Sequence, residues 1–116
     1  MSLPQENRIK KKKDFEAVFK NSKSFRSNLF VLKIAHNNLE VNRFGFVVST
    51  KVSKKAIIRN KIKRRLAETV KLEMSRIKKG TDLVFVALPG ICNKDYSEVK
   101  GEVDSALAKT RVTIQE

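Results

Sequence analysis

The stretch from Lys51 to Arg65, KVSKKAIIRNKIKRR, constrains the rest of the chain more than any other. It holds eight basic residues (Lys51, Lys54, Lys55, Arg59, Lys61, Lys63, Arg64, Arg65) and no acid, the nearest being Glu40 before it and Glu68 after it. Ile58, Ile62, Leu66, Val70 and Met74 recur at i+4, with a last step of i+3 to Ile77. This is the apolar stripe of an amphipathic helix. One element must therefore press a seam into a core and hold a dense cationic surface in water.

That charge is not spread along the chain. Residues 1–65 carry 18 Lys/Arg against 4 Asp/Glu, a net of +14, whereas residues 66–116 carry 8 of each and are neutral. Such an imbalance costs self-repulsion in the folded state, and a polyanionic partner is the usual reason to bear it. With 41% hydrophobic residues in 116, the chain can build a real core in one domain spanning 1–116, which excludes a disordered basic tail. Cys92 is alone, so neither an internal disulfide nor a Cys-based zinc site can form, and a reducing compartment is expected. No long apolar run suits a membrane helix. The basic N-terminus lacks an apolar segment behind it, so it does not read as a secretory signal. The expected location is the cytoplasm.

Taken in order, residues 1–9 read as loose, and Lys10 to Lys13 as a cationic run. A short helix fits Asp14 to Lys20, with Phe15, Val18 and Phe19 on one side. Asn21 to Ser27 reads as a loop. Leu29 to Ala35 has strand composition, with Phe30, Leu32 and Ile34 on one face and Leu29, Val31, Lys33 and Ala35 on the other. After a turn at His36-Asn37-Asn38, Arg43 to Ser49 is a second strand, expected to pair with the first in antiparallel fashion. Gly45 marks a place where another backbone or a ligand approaches closely. Thr50 to Val52 can extend as a short third strand. Ser53 is placed to cap the main helix, which is expected to reach Lys79 and stop at Gly80. Thr81 to Leu88 is a near-continuous apolar run, hence a buried central strand ended by Pro89-Gly90. A last helix starts between Asn93 and Tyr96, with Val99, Val103, Ala106 and Leu107 inward. Residues 112–116 are expected to fray. The order is α-β-β-β-α-β-α, an α+β sandwich of helices on a central sheet.

At 100° per residue, Arg59, Asn60, Lys63 and Arg64 make one patch beside the apolar stripe, with Lys61 and Arg65 on the opposite flank. Guanidinium groups fork onto phosphates, Lys adds mobile charge, and Asn reads a base edge or ribose. A merely solvated helix face would carry interleaved Glu at i±4, and none is present. Phe15 and Phe19 fit two roles, core of a short helix or a platform for unpaired bases, and Lys33 could line the same groove. No catalytic constellation is legible: His36 is the sole histidine, and Asp95, Glu98, Glu102 and Asp104 space as a solvent face rather than a metal site.

RFGFVVSTKVSKKAIIRNKIKRRLAE resembles the signature of the bacterial ribonuclease P protein component: a strand, a Lys-rich turn, then an Arg-Asn-Arg motif and Ile-Lys-Arg at a helix start. Here the motif stands as Arg59-Asn60-Lys61-Ile62-Lys63-Arg64, with Lys61 in place of the second Arg. KKKKDFEAVFKNSKSF is similar to the family's first helix, and TDLVFVALPG to its last strand. The resemblance implies a ribosomal-protein-S5-like fold with a left-handed β-α-β crossover around the basic helix. It also implies a protein subunit, without catalytic or metal-binding residues of its own, that binds the catalytic RNA of ribonuclease P. That RNA, with its Mg²⁺ ions, removes the 5′ leader of precursor tRNA. On this basis Lys51, Lys54, Lys55, Arg59, Asn60, Lys61, Lys63, Arg64 and Arg65 would face RNA. Phe15, Phe19 and Lys33, the last standing where the family often has an aromatic, would line a cleft for the leader. The partners would be ribonuclease P RNA and precursor tRNA, with the chain a monomer in a 1:1 complex with the RNA. A stand-alone, ribosome-associated RNA-binding module is the rival reading. A DNA-binding regulator lacks the helix-turn-helix spacing.

Overall fold

A computed structural model describes residues 3–112 of the chain. Helix α1 (Lys12–Lys20) is followed by strands β1 (Lys23–Arg26), β2 (Phe30–His36) and β3 (Arg43–Val47). Then come helix α2 (Ala56–Glu73), strand β4 (Thr81–Ala87) and helix α3 (Tyr96–Lys109). The four strands form one sheet in the order β1-β2-β4-β3.

The antiparallel pairing expected between the strands at 29–35 and 43–49, here β2 and β3, does not occur. β4 lies between them, antiparallel to β2 and parallel to β3. The reason lies in β4 itself: Leu83, Val84 and Phe85 are fully buried, so this strand needs a neighbour on each edge and a layer on each face. The β2–β3 connection crosses the start of β4, where Asn37 N–H donates to the Gly80 carbonyl and Gly80 N–H to that of Val41. Gly80, at φ +81°, makes this tight turn possible rather than ending the main helix. β3, α2 and β4 thus form a β-α-β unit.

Residues 23–26, expected to be loop, form an edge strand paired with β2, and Ser27 Oγ accepts from the N–H groups of Leu29 and Phe30 in the hairpin turn. Its polar residues and single partner leave no alternation to read. Thr50 to Val52 form a turn closed by Val52 N–H to the Ser49 carbonyl, not a strand. Ser53 does not cap α2; its Oγ accepts from Lys55 N–H, and the capping position falls to Lys55.

α2 ends at Glu73, short of Lys79, and passes into a 3₁₀ turn over Met74–Arg76. The buried amide of Asn42 donates to the carbonyls of Met74 and Ile77, giving the helix end partners that another helical turn would have supplied. Asn7 Nδ2 donates in turn to the Asn42 carbonyl at 2.7 Å. That bond, with Leu3 and Ile9 buried, packs residues 3–9, which were expected to be loose. Val112, expected to fray, is also buried and accepts from Lys78 N–H. Residues 113–116 of that expected tail lie outside the described residues.

Strand alternation divides the core. Phe30, Leu32, Phe44, Leu83 and Phe85 meet the α2 stripe (Ile62, Leu66, Val70) and α3 (Val99, Val103, Leu107) on one face. On the other face Val84 packs with Val18 of α1 and Ile9. α3 starts with a capping box, Asp95 accepting from Glu98 N–H and Glu98 from Asp95 N–H, which fixes how that seam enters the core.

Candidate nucleic-acid interface

The seam of α2 turns its remaining surface outward. Asn60, Lys61, Lys63 and Arg64 are exposed, and none forms an ion pair among the described residues. Lys51, Lys54 and Lys55 are exposed on the segment leading into the helix. The two flanking arginines differ. Arg59 Nη1 donates to the Ser53 carbonyl at 2.9 Å, ordering the segment before α2. Arg65 Nη1 donates to the Lys94 carbonyl at 2.6 Å, fastening α2 to the approach of α3. Both keep further N–H groups for a ligand. Ile57, 78% exposed, stands among these cations and was not singled out from the sequence.

The second candidate region lies across the sheet. Strand register places Ser24, Lys33, Val84 and Gly45 in one row, and Arg26, Val31, Val86 and Val47 in the next. α1 crosses the first row. The Phe15 ring sits on Gly45, where a Cβ would come within 2.5 Å of Phe15 Cε1. The close approach at Gly45, expected of a backbone or a ligand, is instead that of a side chain. Phe15 is half-buried against Ile9, Val18 and Val84, so it serves the small core beneath α1. Phe19 is 43% exposed, with Lys33 Nζ 5.9 Å from its ring centre. In the second row Val31, Val47 and Val86 are half-buried, an apolar floor with Arg26 at its edge. Ser24 and Arg26 were missed with β1, because a residue's face is undefined until its strand is recognised. From Val47 the chain runs directly into the Lys51–Lys55 segment, so floor and cationic face are close in the chain.

A polar network holds α1 to this face. Arg43 forks onto Asp82 (Nε to Oδ1 2.9 Å, Nη2 to Oδ2 2.7 Å), and its Nη1 lies 3.5 Å from Asp14 Oδ2 on α1. Hydrogen bonding to Asp82 raises the Arg43 pKa above its ordinary value, although burial acts in the opposite sense. Asn37 Nδ2 also donates to Asp82 Oδ1, at 2.8 Å. One signal could have revealed the network: a carboxylate within an apolar central strand requires a cation. His36 is exposed at the end of β2. No three His, Cys, Asp or Glu side chains come together as a metal site among the described residues. No helix among them is long and apolar enough to cross a membrane.

The family model for ribonuclease P matches residues 3–111. The chain belongs to the ribonuclease P protein family. Among similar proteins, the ribonuclease P protein component of Clostridium botulinum (strain 657 / Type Ba4) is 37% identical over 93% of this chain and 97% of its own length. That of Clostridium kluyveri is 41% identical over 88% and 92%. Among solved structures, the Staphylococcus aureus RNase P protein superposes with a TM-score of 0.85 at 29% identity, covering 92% of this chain and 97% of that one. The Thermotoga maritima RNase P protein gives 0.80 at 29% identity, covering 88% and 96%. Family membership makes the chain the protein subunit of an RNA-dependent endoribonuclease that acts in tRNA 5′-leader processing, and makes ribonuclease P RNA its partner. The mixed α+β fold expected from the sequence is that of these structures, with the strand order corrected as above.

Proposed function

We propose that the two faces of the sheet divide the work of this subunit. The α2 face, through Lys51, Lys54, Lys55, Asn60, Lys61, Lys63 and Arg64 with the free N–H groups of Arg59 and Arg65, binds the phosphates of the catalytic RNA. The cleft formed by Phe15, Phe19, Lys33 and the valine floor takes the single-stranded 5′ leader of precursor tRNA. The observation that carries this reading is the α2 surface itself: four exposed polar or cationic side chains without an acidic partner among the described residues, on a helix whose opposite side is committed to the core. Such a surface binds polyanions through counterion release, whereas the leader cleft offers stacking and apolar contact.

The chain acts as a monomer in a 1:1 complex with the RNA, in the cytoplasm, and supplies no group for the hydrolytic step. Mg²⁺ bound by the RNA supplies that chemistry.

Reconstitution tests the proposal. The purified chain is mixed with a bacterial ribonuclease P RNA and 5′-extended precursor tRNA, at a Mg²⁺ concentration too low for the RNA alone, and leader release is followed. Restored cleavage is expected. Tight, salt-sensitive RNA binding without restored cleavage would keep the α2 face as an RNA-binding surface and count against the leader cleft.

A further inference from the structure

The network that joins α1 to the sheet is placed to do more than stabilise. Asp82 is only 4% exposed, and both its oxygens are engaged by Arg43 and Asn37, so the guanidinium plane is held by the sheet. The Nη1 left over points at Asp14, in the first turn of α1, where a carboxylate also suits the helix dipole. The next residue on α1, Phe15, rests on Gly45, two residues along β3 from Arg43. α1 is thus held at two adjacent points. Gly45 sets how closely it approaches the sheet, and Arg43 fixes its first turn over β3. One turn further on, Phe19 projects half-exposed beside Lys33.

We propose that Arg43 and Asp14 are positioning residues for the leader cleft: their link sets the angle of α1 on the sheet, and so where Phe19 stands relative to Lys33 and the valine floor. The inference rests on the reading of that cleft as the leader site. Neither residue touches the leader. Losing the link lets α1 pivot about Phe15 and Val18, which widens the cleft and weakens leader capture without altering the α2 face.

The test uses the reconstituted ribonucleoprotein with two precursors, one with a leader of several nucleotides and one with a single-nucleotide leader. Asp14 is the residue to change, because its loss leaves the part-buried Arg43–Asp82 pair intact and the fold with it. Asp14→Ala is expected to raise KM for the long-leader precursor about fivefold, the scale of a partly buried ion pair. KM for the short-leader precursor and kcat at saturation should not change. Asp14→Asn, which keeps an acceptor for Nη1, should recover most of the loss. Phe19→Ala serves as the control for the cleft. If Phe19→Ala weakens long-leader binding and Asp14→Ala does not, the positioning role is overturned and the cleft reading stands. Equal KM increases for both precursors with Asp14→Ala would also overturn it, by showing a general structural effect. If Phe19→Ala leaves the leader dependence intact, the cleft reading fails and the inference goes with it.

Discussion

Lys33 Nζ lies 5.9 Å from the centre of the Phe19 ring and donates to Ser24 Oγ at 3.0 Å. An ammonium on a flexible stem would otherwise sample many positions; held between β1 and α1, it presents charge at one place on the cleft wall. A leader strand passing there meets a ring face and a cation together, the pairing that suits a base with its phosphate. Lys33→Ala should therefore weaken precursor tRNA more than mature tRNA. It should also lower the log–log salt slope for precursor binding by about 0.7, the increment of one single-strand phosphate contact. Fluorescence titration of both RNAs over a salt series measures this. An unchanged slope would place Lys33 outside the leader path.

Arg64 and Arg65 are neighbours with different duties. Arg64 is exposed without a protein partner among the described residues, whereas Arg65 donates to the Lys94 carbonyl at 2.6 Å. Arg64→Ala should leave the melting temperature unchanged and reduce the salt slope for RNase P RNA by about 0.9 if the contact is to a duplex. Arg65→Ala should cost about 1–2 kcal/mol of stability through the lost charged hydrogen bond. Thermal denaturation beside salt-dependent binding separates the two effects, and equal destabilisation by both variants would contradict the difference in partners.

The helices and the cationic face were legible because both are local patterns. The stripe from Ile58 to Val70 and the acid-free run beside it declare themselves within a few turns. What could not be read is what depends on contacts distant in sequence. The insertion of β4 between β2 and β3 follows from burial on both its faces, yet the sequence also permits a simple hairpin. β1 was hidden because an edge strand with one partner carries no alternation. The end of α2 was misplaced because Asn42, far upstream, terminates it. The cleft was half legible: Phe15 and Phe19 lay on one side of a short helix, but the valine floor needed the strand register. The Arg43–Asp82 pair needed Asp82 to be recognised as an anomaly in an apolar run.

Asn42 offers a sharp contrast between two substitutions. Its buried Nδ2 donates to Met74 O at 3.2 Å and to Ile77 O at 3.0 Å. Asn42→Ala leaves the Ile77 carbonyl without its donor and the Met74 carbonyl with Ile77 N–H alone, and should cost about 1–3 kcal/mol. Asn42→Asp has the same shape but turns a carboxylate oxygen toward both carbonyls in a site 5% exposed, so it should be the worse of the two at neutral pH. Denaturant unfolding of both variants gives the order, and Asp tolerated better than Ala would count against these hydrogen bonds.

Gly45 joins stability to function in one position. A Cβ there would stand 2.5 Å from Phe15 Cε1 and 2.8 Å from Cζ, far inside van der Waals contact. The strand backbone cannot yield, because Gly45 is paired with Val84 in the central strand. The Phe15 ring must move instead, and Ile9, Val18 and Val84 close the inward side. The remaining path is outward, into the cleft or with α1 lifted from the sheet. Gly45→Ala should therefore cost about 1–3 kcal/mol, as overpacking of a tight contact does. It should also weaken long-leader precursor binding while leaving the affinity for RNase P RNA in place. Gly45→Ala combined with Phe15→Leu, which removes the ring atoms that clash, should regain part of the stability but not the leader binding. Recovery of both would mean that Phe15 only fills space and that the leader is held elsewhere.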